Sequence, residues 1–144
     1  MATPAAPPRL RPFERKWPLR PTTVRLARVH ARTWLAMSRW PGDQDEALLV
    51  VQEVVENGVK HPTHVPADGV IELVLCITED DGLLIDVADP DPRFPGFNEV
   101  IIASPHTGLG RVRALGGEVT WGTPDVERGK TVRVRMRPAT PRPA

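Results

Sequence analysis

A single cysteine, Cys76, is all the chain carries, so no disulfide can form within it, and its place in a strand-like run fits a reducing compartment. Long apolar runs are missing too. The longest falls far short of the roughly 20 residues that cross a bilayer, and the N-terminus lacks the continuous apolar segment of a secretory signal. These absences exclude a membrane partner and point to a cytoplasmic protein. Charge of one sign is lacking as well: 19 Lys and Arg stand against 18 Asp and Glu, so the balance favours neither direct nucleic-acid binding nor an acidic partner. With 144 residues the chain can bury one core.

Proline, by contrast, is plentiful, and it collects at the ends. Residues 1–21 contain Pro4, Pro7, Pro8, Pro12, Pro18 and Pro21, and the last seven residues contain Pro138, Pro141 and Pro143. Such segments lack the apolar content to fold alone. The expected organisation is a flexible tail over 1–16, a folded domain over 17–137 and a second tail over 138–144, with Phe13, Trp17 or Leu19 anchoring the first tail.

Inside the domain the pattern reads helix, helix, strand, strand, loop, helix, strand, strand. Residues 22–39 have helical composition after Pro21, with Thr22 or Thr23 as N-cap. Val24, Ala27, Ala31, Trp34 and Leu35 share one side; Leu26, Val29, Met37 and Trp40 share another. Two apolar sides imply two neighbours, or a core contact plus a partner such as a second copy of the chain. Arg25, Arg28, Arg32 and Arg39 form either a solvated ridge or a stripe that meets an acidic partner.

Ile71, Leu73, Leu75 and Ile77 alternate with Glu72, Val74, Cys76 and Thr78, and Val132, Val134 and Met136 alternate with Arg133, Arg135 and Arg137. That period of two puts each apolar set on one sheet face, where helices can cover it. Asp80-Asp81-Gly82 is a hairpin turn, and Val119 with Trp121 marks another strand. The expected fold class is α+β: a two-layer α/β sandwich, its mixed or antiparallel sheet covered by helices on one face.

Chemistry concentrates in three places. Residues 45–60 form one helix whose stripe of Ala47, Leu48, Val51, Val54, Val55 and Val59 faces a core, while Glu53 and Asn57, four positions apart, lie one above the other on the polar side. A carboxylate beside an amide oxygen suits magnesium, which keeps most of its waters and takes few protein oxygens. The bland alternative is a solvated helix face. Next, the run Leu83–Ala88 delivers Asp89 at the point where a strand releases the chain into Pro90-Asp91-Pro92. Finally Thr107-Gly108-Leu109-Gly110 opens a helical stretch over 111–115, and glycines ahead of a helix let backbone N–H groups approach an anion. Each has an ordinary reading as strand end or turn.

In order, the chain offers Glu-x-x-x-Asn-x-x-x-His on a helix, strand-Asp, Gly-x-Gly-helix and Gly129-Lys130-Thr131 entering a final strand. This set resembles the ATP-binding domain shared by gyrase, MutL and histidine kinases, the GHKL or Bergerat fold. Within it, the stretch Leu48 to His61 is similar to the N box of stand-alone serine/threonine kinases that act as anti-sigma factors, especially actinobacterial ones, and Asp86 to Pro92 is similar to their adenine-side box. The likeness runs from about Trp17 to Arg137.

The resemblance implies a role for each residue. Asn57 would bind Mg2+ across the phosphates of ATP, and Glu53 would be the catalytic general base. Asp89 would accept the adenine amino hydrogen, with Thr131 supporting it directly or through water. Gly108, Leu109 and Gly110 would donate backbone N–H groups to phosphate, with Lys60, His61 or Arg111 as charge partners; His61 serves equally as a cap at the helix end. The stretch 93–107, with His106, would be an irregular lid. Prolines stand where the superfamily writes the glycines of Asp-x-Gly-x-Gly, and Arg111 stands where relatives carry leucine. Implied partners are an anti-sigma antagonist protein and/or a sigma factor, with a homodimer also expected. A non-catalytic regulator that binds partners through the same fold is the alternative.

Overall fold

A computed structural model describes residues 10–60, 68–124 and 129–138. The chain order is β1 (Phe13–Pro18), α1 (Thr22–Ser38), α2 (Gln44–Lys60), β2 (Val70–Ile77), β3 (Leu83–Asp89), α3 (Phe97–Ala103), α4 (Gly108–Ala114), β4 (Glu118–Gly122) and β5 (Lys130–Met136). One five-stranded sheet runs in the order β1-β2-β3-β5-β4. Every neighbouring pair is antiparallel, so of the two expected sheet types the fully antiparallel one forms.

Alternation in sequence becomes two unlike faces. Ile71, Leu73 and Leu75 of β2, Leu83, Ile85 and Val87 of β3, and Val132, Val134 and Met136 of β5 are buried on the helix side. On the outer face Arg133 grips Asp86 through two bonds of 2.8 and 2.9 Å, and Arg135 reaches Asp80 at 2.6 Å. The arginines of the last strand are therefore matched by acids instead of forming a basic patch. The expected hairpin turn is present: Asp81 adopts a left-handed φ of 62°, and the amide of Thr78 donates to the carbonyl of Gly82 at 2.8 Å.

The helices cover the inner face. α2 lies on the sheet with Ala47, Val50, Val51, Val54 and Val55 buried, and α1 packs beside it through Ala27, Ala31, Trp34 and Leu35. Asp43 caps α2, its Oδ1 accepting the Glu46 amide at 3.0 Å. At α1 the expected threonine cap is not made; Pro21 occupies the N-cap, and Thr23 donates to the carbonyl of Pro18 at 2.6 Å. Trp40, grouped by spacing with Leu26, Val29 and Met37, parts from them: it is buried and its indole N–H donates to the carbonyl of Asp81 at 2.7 Å, while the other three are exposed.

Two elements were not legible as such. Residues 13–16, assigned to the N-terminal tail, are the first part of β1, which pairs with β2 from Phe13↔Leu75 to Pro18↔Val70. Proline is tolerated there because β1 is an edge strand with one side unpaired. The stretch 93–107, expected to be irregular, contains α3. The remaining tail residues 1–9 and 139–144, and His61, lie outside the described residues.

Candidate functional site

The site forms where α2, the end of β3, the start of α4 and the start of β5 converge. Glu53 and Asn57 stand one turn apart on α2, as their spacing requires, but neither is on a solvated face: each is 8% exposed. Glu53 Oε2 accepts the backbone N–H of Gly108 at 2.9 Å, and Oε1 lies 3.5 Å from the Arg111 guanidinium. The helix and the glycine turn are thus brought into direct contact across 55 residues of sequence. Gly108 has φ 59° with open space around a would-be Cβ, so the turn depends on backbone conformation and not on packing. Gly110 differs: a Cβ there would come within 1.9 Å of the Ser104 carbonyl oxygen, so the α3–α4 connection closes only over glycine. Leu109 is fully buried and belongs to the core.

Asn57 leads into Gly58, whose missing side chain lets α2 settle on the sheet; a Cβ would lie 2.7 Å from Ile71 Cδ1 and 3.8 Å from the Asp89 Cβ. That contact brings the Gly58 turn of α2 against Asp89. Asp89 is only 2% exposed. Its Oδ1 accepts from the Lys130 ammonium at 3.0 Å and from the Asp91 amide at 2.9 Å. Its Oδ2 is buried and has no hydrogen-bond partner among the described residues. Burial raises the Asp89 carboxyl above its ordinary value of 3.8, and the bond and charge of Lys130 only partly oppose this.

The prolines after Asp89 fall between the donors the turn uses. Asp91 donates its amide to Asp89, and Arg93 donates its amide to Asp91 Oδ1 at 3.0 Å, giving two successive side-chain-capped turns in which Pro90 and Pro92 are asked for no N–H. Asp91 is itself buried and held by the Arg93 side chain at 3.3 Å.

Three of the residues assigned from the sequence have other surroundings in this conformation. Thr131 does not support Asp89 directly: strand alternation puts it on the outer face with Arg133 and Arg135, and Lys130, one residue earlier and paired with Asp89 in the ladder, takes that place. Lys60 is exposed at the end of α2 and pairs with Glu56 at 2.6 Å; the hydrogen bond to Glu56 raises its pKa. Arg111 meets Glu53 in this conformation. Sequence reasoning missed Lys130 and an aromatic group beside it. Phe94, Phe97 and Trp121 have ring centroids 5.0 to 6.3 Å apart, and Lys130 Nζ sits 5.5 Å from the Phe94 ring. The register Asp89↔Lys130 is the signal that finds Lys130, once the strand pairing is known.

Among the described residues no group of three His, Cys, Asp or Glu side chains is placed to hold a metal ion.

No protein-family model matches the chain, and no curated protein matches it by sequence. Among solved structures it is similar to the crystal structure of the RsbU and RsbW domains of Rv1364c from Mycobacterium tuberculosis, with a TM-score of 0.66 and 20% sequence identity over 92% of this chain. The match spans 34% of the length of that chain. The likeness shows the fold: an α+β sandwich of the architecture found in that protein.

Proposed function

We infer that the chain is an ATP-binding regulatory protein, and that it works as a serine/threonine protein kinase of the anti-sigma type, acting on an anti-sigma antagonist. The observation that carries the nucleotide reading is Asp89 Oδ2, a buried carboxylate oxygen with no donor among the described residues. Leaving such an oxygen unsatisfied is costly, and a purine amino group supplies the missing N–H. Asn57, next to the Gly58–Asp89 contact, provides an amide oxygen for magnesium on the phosphate side. Glu53, Gly108 and Arg111 complete that end with a carboxylate, a backbone donor and a cation. Similarity in fold to a structure containing an RsbW domain supports a regulatory role.

Bound magnesium would neutralise charge on the phosphates. Glu53 would take the proton of an attacking serine hydroxyl as the new oxygen–phosphorus bond forms and the bond from the γ-phosphorus to its bridging oxygen breaks, leaving ADP. To do so it must release the Gly108 N–H, which then becomes available to phosphate. That same engagement favours a second reading, a non-catalytic regulator that binds its partner with weak or no nucleotide binding. Titration calorimetry with ATP and magnesium tests the nucleotide site: heat that requires both components, and disappears in Asn57→Ala, is expected. No heat at millimolar ATP would leave only a partner-binding role.

A further inference from the structure

Resting on the nucleotide reading, we propose that Lys130 is the positioning residue that selects the base. By holding Asp89 Oδ1 and the Asp91 carbonyl it leaves Asp89 Oδ2 as the open acceptor, a fit for a 6-aminopurine and a mismatch for a 6-oxopurine. Lys130 is 6% exposed, and its ammonium has three N–H donors. One goes to Asp89 at 3.0 Å and one to the Asp91 carbonyl at 3.1 Å, while the face of the Phe94 ring, 5.5 Å away, accounts for the remaining side. Two of the three donors are committed in this way to Asp89 Oδ1 and the Asp91 carbonyl, away from Oδ2. The Asp91 amide is spent on Oδ1 as well. A 6-oxo group would therefore meet the Oδ2 lone pairs, acceptor against acceptor.

The positive charge has a second effect. Burial favours the protonated carboxyl, which would turn Asp89 from acceptor into donor and reverse the base preference. The groups that face Asp89 are Lys130 from β5 and Asp91 from the following loop, the latter held by Arg93; α2 meets it through Gly58. Of these, Lys130 is the cation in contact among the described residues, and its hydrogen bond and charge favour the acceptor form against burial and the neighbouring Asp91 charge.

Titration of the full chain with ADP and with inosine diphosphate, each with magnesium, at a neutral pH and at a lower pH at which the chain stays folded reads this out, since a carboxyl raised by burial gains its proton as pH falls. Wild type is expected to bind ADP at least about tenfold more tightly than inosine diphosphate. Lys130→Met is expected to lose that preference, most completely at the lower pH, and Lys130→Arg to restore it. Should the Met variant fail to fold, wild type alone decides through the same ratio, which must narrow as pH falls. An equal affinity of wild type for both nucleotides, or a Met variant with the wild-type ratio at both pH values, overturns the assignment to Lys130 while leaving nucleotide binding intact. Wild type that binds neither overturns the nucleotide reading, and this assignment with it.

Discussion

Glu53 and Asp89 are both buried carboxylates, and their partners set them to different tasks. Glu53 is satisfied by Gly108 and Arg111 in this conformation, so its removal should spare nucleotide affinity. Glu53→Ala is expected to bind ATP within a few-fold of wild type yet to lose phosphoryl transfer by about 10²-fold or more, measured with radiolabelled ATP and a serine-bearing protein substrate. Retained transfer would remove Glu53 from the base role. Asp89 carries a pH signature in stability. Its folded-state pKa lies above the unfolded value, so the folded chain binds the extra proton, and its contribution to stability falls as pH rises from about 4 through the raised pKa. Urea unfolding of wild type and Asp89→Asn across that window should show wild type losing ground to the variant as pH rises; parallel curves would contradict the raised pKa. At this scale the sequence was informative about Glu53, Asn57 and Asp89, because helical spacing and a strand end place them. It was silent on Lys130, whose role exists only through cross-strand pairing, and it misplaced Thr131 by one residue, which in a strand means the opposite face.

Among elements, those with a sustained period were legible and those without were not. The alternation of β2 and β5 and the apolar stripe of α2 foretold their buried faces. β1 buries Trp17 and half-buries Phe13 between prolines, too weak a pattern to distinguish from a tail. α3 has seven residues and none fully buried, so no period marks it. The junction between α3 and α4 is where geometry is least forgiving. Gly110→Ala would drive a methyl group into the Ser104 backbone, so a loss of about 1–3 kcal/mol in unfolding free energy is expected by chemical denaturation. Because a shift there displaces Gly108, whose backbone N–H is the proposed phosphate donor, nucleotide affinity should fall with it. Unchanged stability would mean that the close approach relaxes freely.

Taken whole, the molecule has a sheet with one face under helices and the other laced by ion pairs, and α1 carries an exposed row of Leu26, Val29 and Met37. The expected two apolar sides of α1 are both present, one in the core and one exposed. No helix among the described residues is long and apolar enough to cross a membrane. Nucleotide binding should stabilise the molecule as a unit: at a hundredfold excess over Kd the gain is about 2.7 kcal/mol. A thermal melt should therefore move upward with ATP and magnesium together and little with either alone; equal shifts from both single additions would argue against a metal-bridged ligand. Trp121, 38% exposed and in ring contact with Phe94, is placed to report such binding by fluorescence, since the other three tryptophans are buried.

The most direct measurement is a crystal structure of the full chain with a non-hydrolysable ATP analogue and magnesium. The purine amino group is expected within hydrogen-bond distance of Asp89 Oδ2, the metal on the Asn57 side-chain oxygen, and Glu53 released from the Gly108 amide. A nucleotide seated elsewhere, or none at saturating concentration with Asp89 Oδ2 still unpaired, would contradict it.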